Sequence, residues 1–150
     1  MSSYLLECCV DSVESALIAE KGGADRLELC SNLIIGGTTP TLSLFRRIRM
    51  LSDIRIHALI RPRFGDFLYS GEEFQVIAEE VRQFRQAGAE GVVIGCLTPA
   101  GSLHMEYMKQ LMEAADGMSV TLHRAFDMCR DPFEALEQSR ELGIDTILTS

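Results

Sequence analysis

Three short segments of this chain repeat one joint. GADRLEL (Gly23 to Leu29), GAEGVVI (Gly88 to Ile94) and GIDTILT (Gly143 to Thr149) each set a glycine, a small or apolar residue and an acid just ahead of an apolar run. Glycine takes the left-handed conformation that closes a helix, so each joint reads as a helix end feeding a strand. Parsing outward from the joints gives strands at Leu5 to Val10, Arg26 to Cys30, Ile54 to Ile60, Gly91 to Gly95, Ser119 to His123 and Thr146 to Thr149. Helix starts are read at Asp11 with Glu14, at Thr39–Pro40, at Ser70 with Glu73 and at Asp131–Pro132. Alternation of this kind demands a parallel sheet with helices outside it.

No strand runs into a GxGxxG loop, which leaves a dinucleotide-binding open sheet little support. Short strands at nearly uniform spacing favour an α/β fold of the TIM (β/α)8 type, which takes about 250 residues. The 150 residues here supply about five βα units and a sixth strand. The expectation is therefore a single domain over 1–150, a barrel truncated before its last strands, with two free sheet edges. Those edges predict a homo-oligomer as one way of covering the exposed strands.

Charge and cysteine usage narrow the partners. A net charge of −8 without any run of Lys or Arg argues against nucleic acid and anionic membranes. No apolar stretch approaches the roughly 20 residues that span a bilayer, and MSSYLLECCVDS lacks a basic region and a cleavage site. The expected compartment is the cytosol. The five cysteines, Cys8, Cys9, Cys30, Cys96 and Cys129, are odd in number and form no CxxC pair, which suits reduced thiols better than disulfides.

In a parallel barrel the loops leaving the carboxyl ends of the strands carry chemistry. The stretch HALIRPRFGDFLYS, His57 to Ser70, releases Arg61, Arg63 and Asp66 around Pro62 and Gly65, a charged platform suited to an anionic group. Alternation puts Glu7 with Cys9, Glu28 with Cys30, His57 with Arg61, and Thr121 with His123, each pair on one face of its strand. Acids, thiols, an imidazole and guanidiniums then converge on one mouth. Glu7 and Glu28, costly to bury alone, are expected to pair with Arg61, Arg63 or Arg124.

Three chemistries could use this ring. Cys9 and Cys30 occupy equivalent places on neighbouring strands, about 4.8 Å apart, where two thiolates can share Cu(I); simple packing of buried thiols is the competing reading. Glu7, Glu28, His123 and Asp127 could act as acid and base while Arg61, Arg63 and Arg124 hold a phosphate or carboxylate, the competing reading being a structural ion-pair network. Met105, Met108 and Met112 lie at helical spacing and read as core rather than as copper ligands.

The motifs ECCVDS, GADRLELC, GGTTPT, IRPRFGDFLYS and TLHRAFDM, in this order, resemble the copper homeostasis protein CutC family from about Leu5 to Ser150. The resemblance implies a TIM barrel, a cytoplasmic location and a role in copper handling, with Cu(I) bound by Cys9 of CVDS and Cys30 of ELCS. Two departures stand out. Ile35 replaces the acid that usually precedes GGTTPS, and members of the family continue past LTS into a glycine-rich, phosphate-site-like segment. Three functions follow as expectations: a Cu(I)-binding homeostasis protein, an enzyme acting on a small anionic metabolite, or a shortened non-catalytic form that works by self-association.

Overall fold

A computed structural model describes residues 4–150. Residues 1–3, which open the segment read for a leader, lie outside the described residues. The strands are β1 (Glu7–Val10), β2 (Arg26–Leu29), β3 (Arg55–Leu59), β4 (Gly91–Ile94), β5 (Ser119–Leu122) and β6 (Thr146–Ile147), and between them run α1 (Val13–Lys21), α2 (Leu42–Arg49), α3 (Gly71–Ala87), α4 (Met105–Ala114) and α5 (Pro132–Leu142). All six strands are parallel and pair in the order β1-β2-β3-β4-β5-β6, each with its sequence neighbour. The result is an α/β half-barrel of the TIM type, with β1 and β6 as its two edges among the described residues.

The joints work as their sequence predicts. Gly88 and Gly143 sit at φ 91° and 77° and donate their N–H groups back into α3 and α5, a conformation that any Cβ would strain. Ser70 and Glu73 form the expected reciprocal cap, and Asp131 caps α5 with Pro132 in the first turn. Two starts differ. Ser12, paired with Ser15, caps α1 in place of Asp11 with Glu14, because its hydroxyl reaches the N–H of Ser15. Thr41 caps α2, while Thr39 instead clamps the sheet: its hydroxyl donates to Glu80 at 2.8 Å and accepts the Arg61 N–H at 2.9 Å.

Strand alternation makes two interiors. Leu27, Leu29, Ile56, Ala58, Val92, Ile94, Val120 and Leu122 point outward and join Phe45, Ile48, Phe84, Met108 and Leu111 in the main core under the helices. Met108 is fully buried and Met105 and Met112 pack against the same core, so the methionine stripe is structural. The inner face carries the other parity. Cys30, Leu59 and Val93 form a separate small cluster there, with Leu33 against it. Below them Glu28, His57 and Gly91 lie in one register row. Glycine is required in that row at Gly91 and again at Gly95: a Cβ at 91 would lie 2.6 Å from the His57 ring, and one at 95 would lie 2.5 Å from His123 Cε1.

Candidate functional site at the carboxyl ends of the strands

The exit segments of β1, β2, β3 and β5 enclose a cavity of about 420 Å³. Cys9, Glu28, Cys30, Arg61, His123, Arg124 and Asp127 all line it, so seven of the ten candidate metal-binding and catalytic residues meet at one mouth. The other three do not line it. Glu7, the first residue of β1, sits one layer lower and pairs with Arg26, its register partner on β2. Arg63 turns away: its Nε donates to Glu73 at 2.5 Å, Nη2 reaches Asp66 at 3.1 Å and the Leu68 carbonyl at 2.9 Å, and the guanidinium lies over the Tyr69 ring. Asp66 is spent on that ion pair and on the Leu68 N–H. This half of the loop is therefore held by an ion-pair network.

The expected pairing of Glu28 with an arginine is not formed. No arginine lies within ion-pair distance of Glu28 among the described residues, and its Oε2 has no hydrogen-bond partner. The Cys30 thiol donates to its Oε1 at 3.8 Å. Burial, reinforced by the charge of Glu7, raises the carboxyl to about 7.

The two thiols also differ from expectation in register. Cys9 stands opposite Glu28, and Cys30 lies two residues farther along β2 on the same face. The sulfurs are thus diagonal rather than directly opposed, with the Glu28 carboxyl beside both. Partial burial first, then the charges of Glu28 and Glu7, pushes Cys9 up to about 12; burial and Glu28 likewise raise Cys30. Both are protonated thiols near neutrality. Among the described residues no three or more His, Cys, Asp or Glu side chains group as a metal cage.

The opposite wall is basic and aromatic. Arg61, at the end of β3, spans the mouth, donating through Nη1 to the carbonyls of Gly36 at 3.3 Å and Gly37 at 3.0 Å, and through Nη2 to that of Gly65 at 2.9 Å. His123, just past β5, accepts the Ala125 N–H at Nδ1 over 3.1 Å, which places the ring proton of its neutral form on Nε2. Burial and the nearby Arg61 charge lower it to about 3. A histidine so held is a hydrogen-bond donor near neutrality. Arg124 pairs with Asp127 at 2.9 Å at the rim, and Asp127, which also accepts from the Thr149 hydroxyl at 2.5 Å, is held below the usual carboxylate range by both contacts.

Sequence reasoning missed the apolar lining supplied by Leu33, Ile35, Phe67, Met128 and Leu148. Two of these carry a signal in the sequence. Leu148 shares parity with Thr146 on β6, and Phe67 follows Arg61 in the same exit loop.

The model of the CutC family covers residues 4–150. A family protein CutC from Bacteroides fragilis is 53% identical over 151 residues, an alignment that takes in 100% of this chain and 60% of that protein. The human protein named copper homeostasis protein cutC homolog is 47% identical over 149 residues, 99% of this chain and 55% of its own length. Thus the chain spans about three-fifths of the length of the curated relatives it matches. Among solved structures, that of CutC from Streptococcus agalactiae superposes with a TM-score of 0.89 at 28% identity, covering 96% of this chain and 71% of the other. A 2,3-dimethylmalate lyase superposes at 0.69 with 16% identity, covering 97% of this chain and 57% of that one, a likeness of fold alone. The family match along the described residues, the level of identity and the shared architecture together establish that this chain belongs to the CutC family.

Proposed function

We propose that the chain binds Cu(I) through the thiolates of Cys9 and Cys30 and serves copper homeostasis in the cytosol, where thiols stay reduced. The observation that carries this reading is that two soft donors, from β1 and from the end of β2, line one cavity at the chemically exposed end of the half-barrel. Cu(I) accepts two thiolate sulfurs, and sulfur is the ligand type that selects it over harder cations. Because both sulfurs are held as thiols, uptake releases protons and strengthens as the pH rises. Family membership supports a role in copper homeostasis.

The test is a Cu(I) titration of the reduced chain against a competing chromophoric chelator. The proposal expects about one equivalent bound by the wild type. It also expects weakened binding in Cys9→Ser and in Cys30→Ser, and none above background in the double variant. Undiminished binding by the double variant would overturn it.

A further inference from the structure

A Cu(I) ion held by two sulfurs uses one wall of the cavity and leaves the opposite wall unexplained. Arg61 is only 9% exposed, and no carboxylate lies within ion-pair distance of it among the described residues. Its guanidinium donates three bonds, all to neutral carbonyls, and its Nε–H has no partner. A buried guanidinium without a counter-charge is among the costliest groups in a protein interior. Beside it His123, 5% exposed, has Nδ1 committed to the Ala125 N–H and no partner at Nε2.

Phe67 ties the two together, its ring centroid lying 5.2 Å from the Arg61 guanidinium carbon and 4.6 Å from the His123 ring centroid. Nε and Nη2 share the edge of the guanidinium that grips a carboxylate through two parallel bonds, and Nη2 spends only one of its hydrogens, on Gly65. The rest of the cavity is largely apolar, with Leu33, Leu59 and Leu148 among its walls.

We propose that this cavity binds a small organic monocarboxylate, its carboxylate taken by the Nε–Nη2 edge of Arg61 and its hydrocarbon part lying against Phe67 and the leucines, with His123 on the same wall. The acids Glu28 and Asp127 in the same cavity disfavour a doubly charged phosphate. The site is independent of the copper reading, since it uses neither sulfur.

The test is calorimetric titration of the reduced, metal-free 150-residue chain with straight-chain monocarboxylates from acetate to hexanoate, with hexanamide and with inorganic phosphate. Affinity is expected to rise roughly fourfold per added methylene until the cavity is filled, the factor for burying one CH2 in an apolar site. Hexanamide and phosphate should each bind at least about tenfold more weakly than hexanoate, the scale of one charge-assisted contact. Arg61→Lys, which keeps the charge and loses the fork, should weaken hexanoate by a similar factor. Because Arg61 also ties three loop carbonyls, the contrast of hexanoate with hexanamide on the wild type decides the matter if that variant does not fold. No binding by any of the carboxylates, equal binding of hexanamide or phosphate, or a folded Arg61→Lys with unchanged affinity would each overturn the proposal.

Discussion

Acidification probes the lumen of the half-barrel directly, because three of its buried side chains titrate against the fold in opposing senses. His57 and His123 charge freely near 6.5 in the unfolded chain but are held to about 4 and about 3 in the native state by burial and neighbouring arginines. The unfolded state therefore binds more protons as the pH falls below 6.5, and native stability is lost in that direction. Between pH 7 and pH 5 the loss is about 2 kcal/mol for each ring, ~4 for the pair. Glu28 works the other way. Its carboxyl titrates near 7 in the fold against 4.5 in the unfolded chain, so the native state takes the proton first and regains about 2 kcal/mol over the same interval.

The three terms together leave the wild type less stable at pH 5 than at pH 7 by about 2 kcal/mol, most of it lost below about pH 6. Glu28→Gln removes the opposing term. Its loss over the interval should double to ~4 kcal/mol and start nearer pH 6.5. Urea unfolding followed by far-UV circular dichroism at pH 7, 6 and 5 measures both quantities. Equal losses in the wild type and Glu28→Gln, or a gain in stability on acidification, would refute this account of the lumen.

Other expectations follow from single contacts. Gly95→Ala sets a Cβ 2.5 Å from His123 Cε1 and 3.0 Å from the Ala125 Cβ, so it should destabilise the chain by about 1–3 kcal/mol in a denaturant melt, as overpacking does. Arg63→Ala should speed amide exchange across residues 64–70, whose carbonyls and Asp66 carboxylate it gathers, while leaving the Cu(I) stoichiometry unchanged. Size-exclusion chromatography with light scattering tests self-association through the strand edges. A dimer that Leu6→Lys returns to monomer would support it, and a monomer at all concentrations would exclude it, since Leu6 is exposed where the chain enters β1.

The architecture was largely legible because it rests on local chemistry. The glycine joints at Gly88 and Gly143 and the Ser70–Glu73 cap each act within a few residues, and parity alone sorted the two faces of every strand. Cys9, Cys30, Arg61 and His123 were placed on one mouth by that parity. What failed needed distances across strands. The stagger that sets Cys9 against Glu28 rather than Cys30 is a register, which no single strand encodes. The partner of Glu7 proved to be Arg26 for the same reason. The proton on His123 Nε2 follows from one backbone N–H two residues on, visible only once Arg124–Met128 folds as a short 3-10 turn.

The most direct measurement of the copper reading is X-ray absorption at the copper edge on the reduced chain loaded with one equivalent of Cu(I). The account predicts a first shell of two sulfur scatterers that is lost in the Cys9→Ser, Cys30→Ser double variant. A first shell of nitrogen or oxygen, or a sulfur shell that persists in the double variant, would contradict it.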